Sequence, residues 1–551
     1  MWPLPAECWP DEEEWNALNN SVAGRLLRPR PSAAPCHVDS DRDGSSFTTG
    51  RPSCEETLQN WNNASWRSAQ PGSMQHRSTE LHGELSCRLP SSPAFAYTAC
   101  YQGAIPAYAV RVSHASDVQA AIRFATQHNL RLTIRSTGHD IMGRSTAPAS
   151  LNLWLHHLKQ ITFHDQFRPQ GCSADVEINT VAAVITAEAG VQWNELYEVA
   201  DAQQRVVVGA MSGTVSTAGG HSPLSPLLSL AADNILELEV VTADGSLVTA
   251  NRCQNRDLFW ALGGGGGGTY GVVMSATHRT HPALESPWGA QFSMTANSIS
   301  FFQSLVAKFV ELQASLSDAG TWAGYSYLSF TLITGVYLLP NASTEALSAF
   351  DAIAKFAEMH ADEVSLNSSM QAFSSFQAWH NFVYKCKGGA TCTERTGSYM
   401  VISSRLLSKA LLKADNGVEV AAAFVAILKT GVDRIIGHLV SGRAVQANAK
   451  MVDNAVNPAW RTSLWHVIVV STWTAEEACA ATKVHKSWLA TSANALPREV
   501  APQSGCYMNE ADFNEPDWQT SFYGSHFEKL TSIKAHVDPQ GVFSCWKCIG
   551  S

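Results

Sequence analysis

The segment Ile134–Asp140 reads IRSTGHD, and the chain continues as IMGRST to residue 146. Gly138 and Gly143 bracket a short run with Ser136, Thr137, Ser145 and Thr146 close by. Consecutive backbone N–H groups with hydroxyls beside them can form an anion-binding nest. His139 stands where a strand runs out into this loop. A neutral imidazole nitrogen there can act as a nucleophile, a ligand or a proton carrier. A loop histidine is more often only a local hydrogen-bonding group, so its chemistry depends on what the rest of the chain brings to it.

A second feature is LGGGGGGTYGVV, residues 262–273. The glycine run lies between a helical pattern ending near Trp260 and a strand pattern beginning near Tyr270. Glycines so placed let backbone come close to another backbone or to a ligand. The order is helix, glycines, strand. A dinucleotide fingerprint needs strand, glycines, helix, so a Rossmann unit is excluded. Cys545-x-x-Cys548 has no second pair at zinc spacing and no thioredoxin-like context. It reads as a disulfide, as does Cys386 with Cys392, and no metal site is expected. His156 and His157 read as surface residues.

These residues need elements to position them. YAVRV from Tyr108, the helical SDVQAAIRFATQHN and the strand LRLTIRS form a β-α-β unit, whose second strand delivers the Gly138-His139 loop. In the helix, Val118, Ala121, Ile122 and Ala125 share one face. AVITAEAG reads as a strand. VQWNELYEVADAQQ follows as a helix with Trp193, Leu196, Tyr197 and Ala200 on its apolar face, and RVVVGA as another strand. ILELEVVTADGSLVTA reads as a hairpin turning at Asp244-Gly245. The text changes near residue 284. YSYLSFTLITGVYLL and LWHVIVVSTW are long apolar strand candidates between amphipathic helices such as STEALSAFDAIAKFAEMH, which suggests an antiparallel sheet covered by helices. Near the start, CWPDEEEWNALNNSVAGRLL suits one short helix with acids in its first turn, and 37–80 reads as loop.

The chain has 551 residues, 16% of them charged and 45% apolar, as expected of a folded protein with more than one domain. A net charge of −10 without a basic stripe argues against nucleic acid. No apolar run is long enough to span a bilayer. Thirteen cysteines and sequons at Asn19, Asn63, Asn341 and Asn367 point to glycosylation and an oxidising, secretory compartment. The opening MWPLPAECWP has neither the basic nor the apolar region of a leader. The expectation is a secreted protein whose leader has been removed.

As an ordered set, these stretches together with the late YMNEADF and DPQGVFSC resemble the vanillyl-alcohol-oxidase-type FAD-binding family. Within it the chain is most similar to the fungal berberine-bridge-enzyme-like oxidases, the group that includes isoamyl alcohol oxidase. The resemblance implies an α+β fold, with a PCMH-type FAD-binding domain of two α/β subdomains and an antiparallel-sheet substrate domain. It divides the chain into a Cys-rich extension at 1–99, the FAD domain at 100–283, the substrate domain at 284–500 and a return to the FAD domain at 501–551. It implies FAD joined covalently to His139, the histidine of the family's R-x-x-G-H motif. Arg135, Ser136, Thr137, Gly138, Asp140, Gly143 and Ser145 would surround the cofactor, with Asp233, Asn234 and Asn509 near the flavin. Tyr507 matches a position that helps take the substrate's hydroxyl proton, for which a lowered phenol pKa would serve. Residues 206–226 hold no cysteine and are shorter than in relatives, so no second flavin bond is expected. The implied activity is oxidation of a small hydrophobic alcohol or secondary-metabolite intermediate, by hydride transfer to flavin N5 with O2 as acceptor. The chain would act as a monomer, without nucleic acid or membrane. The alternative is a redox-neutral cyclase on the same scaffold.

Overall fold

The computed structural model describes residues 9–37, 52–82, 85–90, 99–173, 180–220, 222–384, 394–474, 492–493, 495 and 498–551. Cys386 and Cys392 lie outside these residues, so the structure does not speak to their pairing.

The described strands form three sheets. The first holds β1 (Leu26–Leu27), β2 (Tyr108–Arg111), β3 (Arg131–Arg135) and β4 (Ser150–Trp154), in the order β1-β2-β4-β3. β2 and β3 both run parallel to β4, as a strand-helix-strand unit requires. The connecting helix Ala115–Gln127 buries Val118, Ala121, Ile122 and Ala125 against this sheet. β3 ends at Arg135, and Ser136–Asp140 leave from the carboxyl end of the parallel strands β2, β4 and β3, a usual place for ligands in α/β units.

The second sheet holds β5 (Ile161–Phe167), β6 (Val181–Glu188), β7 (Arg205–Val207), β8 (Ile235–Val241), β9 (Leu247–Asn251) and β10 (Val272–Pro282). Its order is β5-β6-β10-β8-β9, with β7 also on β10. The β8–β9 hairpin turns at Asp244-Gly245, where Gly245 takes a φ of 82°. The helix Trp193–Ala202 buries Trp193, Leu196, Tyr197 and Ala200.

The third sheet is antiparallel throughout. It holds β11 (Trp288–Ala296), β12 (Ala323–Ser329), β13 (Leu332–Leu339), β14 (Val364–Ala372), β15 (Tyr399–Ser408), β16 (Arg434–Leu439) and β17 (Ser463–Trp473), in the order β14-β11-β13-β12-β16-β17-β15. The helices Ile299–Gly320, Thr344–Met359 and Val418–Lys429 pack on it around Phe302, Phe309, Phe350, Phe424 and Trp465.

Three expectations need correction. YSYLSFTLITGVYLL is a hairpin rather than one strand. β12 and β13 pair through Ser329↔Leu332, and Thr331 turns with a φ of 62°. Its apolar text hid a turn that carries neither Gly nor Pro. Part of 37–80 is helical: Cys54–Gln59 and Ala64–Ser68 are capped by the Ser53 and Asn63 side chains, and both are too short to show a period. His156 is 8% exposed, while its neighbour His157 is exposed.

Disulfides join Cys36 to Cys54, Cys87 to Cys100, Cys172 to Cys253 and Cys545 to Cys548, and Cys506 is a buried free thiol. Among the described residues no helix is long and apolar enough to cross a membrane.

Candidate active site

The loop that follows β3 is built around one carboxylate. Asp140 accepts from the backbone N–H groups of Met142 at 3.1 Å and Ser145 at 2.8 Å, from Arg144 N–H, and from Ser145 Oγ at 3.3 Å. These bonds bend Asp140–Ser145 into a closed turn, with Gly143 at a φ of 72°. From beneath, Gln75 Nε2 donates to Thr137 O at 3.1 Å and Gln75 N–H to Gly138 O at 3.0 Å. Gly138 takes a φ of 85°, a conformation that favours glycine, and it packs against the backbone of Ser73–Gln75.

This loop forms one wall of a cavity of about 390 Å³. Ser136, Thr137, Gly138, His139, Asp140, Arg144 and Ser145 line it. The turn Val215–Gly220, much of the glycine run, Trp460 and the segment Cys506–Asn509 form further parts of its wall. The glycines have separate tasks. A Cβ on Gly264 would lie 2.2 Å from Ala455 and Val456 backbone, whereas one on Gly267 would meet nothing within 4 Å. Gly266 and Gly268 take positive φ values of 99° and 72°.

The sequence-expected residues divide. Tyr507 and Asn509 come to the cavity with the His139 loop. Asn509 links the two sides: its Oδ1 accepts from Arg144 Nη2 at 2.5 Å, and its Nδ2 donates to the Tyr507 hydroxyl at 3.1 Å. Arg135 faces the other way. Its guanidinium donates to Gln70 O at 2.9 Å and to Ser73 O, and burial pushes its pKa down to about 9. Gly143 shapes the turn without lining the cavity.

Asp233 and Asn234 do not line it either, although Ala231, Ala232 and Ile235 do. Arg461 grips the Asp233 carboxylate at 2.6 and 2.7 Å, with Asn454 Nδ2 at 2.8 Å and Ser229 Oγ at 2.5 Å. Burial alone would raise the Asp233 pKa, but Arg461, Ser229 and Asn454 outweigh it and hold the group below the ordinary value. Asn234 donates to Leu228 O and Leu230 O, each at 2.9 Å, and pairs with His281.

Electrostatics set the protonation states. Burial, with His76 alongside, pushes the His139 pKa down to about 3, so its imidazole is neutral. His139 Nε2 lies 2.7 Å from Thr214 Oγ1. Tyr507 departs from expectation: burial first, then the Glu510 charge, push its pKa up to about 12. At neutral pH it is a protonated phenol, whose oxygen accepts from Asn509.

Sequence reasoning missed several residues. Arg144 stands inside the quoted IMGRST, yet nothing local marks it as a cavity residue. Its Nη1 is buried without a protein partner. Behind Tyr507, His438 and His466 face each other across β16 and β17, with Glu510 Oε2 at 3.7 and 3.4 Å from their Nδ1 atoms. Their donor atoms lie within 4.8 Å of one another, a set of two imidazoles and one carboxylate that could hold a divalent cation. The only signal was a lone histidine inside each apolar strand, IIGHLV and LWHVIVV.

A lone buried guanidinium nitrogen and bare glycine backbone on one wall suit a phosphate-bearing cofactor. The fold and this cavity define an FAD-binding oxidoreductase scaffold. Residues 106–251 match the family described as FAD binding domain, and 506–549 the family described as berberine and berberine like. The chain is 34% identical to an uncharacterized FAD-linked oxidoreductase of Arthroderma benhamiae, over 99% of this chain and 92% of that one. It is 31% identical to FAD-linked oxidoreductase ffsJ of Aspergillus flavipes, over 98% and 92% respectively. The crystal structure of the VAO-type flavoprotein MtVAO615 from Myceliophthora thermophila C1 superposes with a TM-score of 0.84 at 26% identity, covering 100% of this chain and 97% of that one. The chain belongs to the fungal berberine-bridge-enzyme-like FAD-linked oxidoreductases of the VAO type.

Proposed function

We propose that the protein is an FAD-linked oxidase of a small hydrophobic alcohol or secondary-metabolite intermediate, with dioxygen as the electron acceptor. The observation that carries this is the meeting of His139, Arg144, Asn509 and Tyr507 at one cavity, from segments far apart in sequence. FAD, when bound, would supply the two-electron acceptor for the substrate's C–H hydride, with dioxygen as the final acceptor.

Arg144 and the glycine backbone would hold the pyrophosphate, and His139 would carry the covalent link. Residues 206–226 offer no cysteine for a second link. Tyr507, held by Asn509, orients the substrate hydroxyl. As a protonated phenol it cannot accept that proton without passing its own on, and Glu510 is the nearby carboxylate that acts on it electrostatically. We further assign residues 100–283 and 501–551 to one FAD domain around a substrate domain at 284–500. The disulfides and the exposed sequons Asn341 and Asn367 support a secreted glycoprotein.

The test is optical. The purified protein should be yellow, should stay yellow after acid precipitation, and should bleach anaerobically with a true substrate. Product formed without bleaching would replace oxidation by redox-neutral cyclisation. A colourless protein that takes up no FAD would end the flavoenzyme reading.

A further inference from the structure

Behind His139 runs a short chain of hydrogen bonds that ends on a buried carboxylate. His139 Nε2 meets Thr214 Oγ1 at 2.7 Å, and Thr214 Oγ1 donates to Glu394 Oε2 at 2.8 Å. The same carboxylate oxygen accepts the Thr214 N–H at 3.1 Å. Thr214 is fully buried and Glu394 is 9% exposed. The turn that carries Thr214 is tied on every side. Thr214 O accepts from Gln192 Nε2 at 3.0 Å, and Gly213 O from Asn194 N–H at 2.9 Å. Val215 O accepts from Trp193 N–H at 3.0 Å, and Met211 O from His380 Nε2 at 2.8 Å. The hydroxyl is therefore fixed in place.

A threonine hydroxyl has one proton to give, and an ionised carboxylate only accepts. With Glu394 ionised, the Thr214 proton points at Glu394, and Thr214 Oγ1 must accept from His139. The one proton of the neutral imidazole then sits on Nε2, and the lone pair on Nδ1. A protonated Glu394 would reverse both bonds and move the His139 proton to Nδ1. Burial outweighs the opposing bonds from Ser212 and Thr214 and raises the Glu394 pKa above its ordinary value, so those bonds limit the rise and are what favours the ionised form.

We propose that Thr214 and Glu394 are positioning residues that hold His139 in its Nε2–H tautomer and so make Nδ1 the nitrogen that joins the flavin. This rests on the His139 attachment proposed above. The bond formed is C8α–Nδ1 and the bond broken is C8α–H. The C–H electron pair passes through the isoalloxazine to dioxygen. The C–H proton and the Nε2 proton, the latter leaving through Thr214 and Glu394, complete hydrogen peroxide. Nitrogen is alkylated, carbon is oxidised and dioxygen is reduced.

The test uses the full chain as purified, and compares wild type with Thr214→Val, Thr214→Ser and Glu394→Gln. Val and Gln keep the shape but remove the hydroxyl or the charge. The readout is the share of bound flavin that stays with acid-precipitated protein, beside the total FAD bound before acid. Both isosteric variants should still bind FAD, while their covalent share falls on the order of tenfold, the usual scale for partners that orient a ligating histidine. Thr214→Ser should restore it. The wild-type flavin peptide should be joined at Nδ1. Wild-type covalent shares in both Thr214→Val and Glu394→Gln, or a link at Nε2, would overturn the relay. Should wild type release all its flavin, the His139 attachment fails by itself. The relay is then judged from 15N–1H correlation spectra of 15N-histidine-labelled protein, with His139→Ala giving the assignment. A His139 proton on Nε2 in wild type that moves in Thr214→Val, where its acceptor is gone, supports it, and a proton on Nδ1 in wild type overturns it.

Discussion

The two sides of the cavity are built in different ways. One is a single run of chain, Ser136–Ser145, folded around the Asp140 carboxylate. The other joins Trp460 to the segment with Tyr507 and Asn509, with His466 behind them, from elements far apart in the chain. The Trp460, His466 and Tyr507 rings lie 5.6 to 5.9 Å apart. A wall made by one loop can be read from its glycines, hydroxyls and acids, because the partners are neighbours in sequence. A wall made by strands that meet only after folding leaves no such trace. Asp233 shows the cost of confusing the two. It sits in a loop-like stretch as Asp140 does, yet its carboxylate is spent on Arg461.

The strongest way to break this comparison is to remove Asp233. Asp233→Ala should destabilise the fold by about 3–5 kcal/mol, since it strands a guanidinium that is largely buried. FAD bound per folded molecule should be unchanged. Thermal unfolding and flavin content measure the two separately, and a flavin loss that exceeds the loss of folded protein would return Asp233 to the site. The pair also carries a pH signature. The folded pKa of Asp233 lies below its ordinary 3.8. Its contribution is therefore complete above that value and is lost as pH falls below it, and wild type should lose more stability over that range than Asp233→Asn.

Next in size is Tyr507→Phe. Loss of a proton-handling hydroxyl should lower kcat about a hundredfold while KM moves little. A change confined to KM would make the ring a packing surface and place the proton chemistry on Glu510.

The fold was legible wherever a period of two or of 3.6 ran long enough. The helices over 115–127 and 193–202 bury the four residues each that their spacing singled out. Turns without Gly or Pro and helices of five or six residues were not, because no period develops in them. At the site, His139 and the glycines stood out by type. Glu394, His438 and His466 did not, because their chemistry comes from partners that arrive from other elements. The Tyr507 pKa was expected in the wrong direction, since burial depth cannot be read from a tyrosine's neighbours in sequence.

A smaller effect is expected at Asp140 itself. Asp140→Asn keeps one acceptor oxygen, so the turn should survive at a loss of about 1–2 kcal/mol. Flavin should be held more loosely, and a retention assay in dilute protein would show it. Unchanged stability would mean that Gly143 and the packing beneath Gly138 close the turn unaided.

The smallest stability effect sharpens the comparison most. Within the glycine run, Gly264 and Gly267 are three residues apart and carry opposite constraints. A methyl on Gly264 would collide with the Ala455 and Val456 backbone at 2.2 Å, so Gly264→Ala must shift two segments of chain. A methyl on Gly267 would have no neighbour within 4 Å, and Gly267 carries no positive φ. Gly267→Ala should therefore change stability by less than about 0.5 kcal/mol. Gly267 nevertheless lines the cavity. If that open space belongs to the cofactor, the methyl should compete with it, and FAD should dissociate faster from Gly267→Ala at nearly unchanged melting temperature. Equal retention in Gly267→Ala and wild type would show that the cofactor does not use this stretch of backbone, leaving Arg144 and the Asp140 turn to hold it.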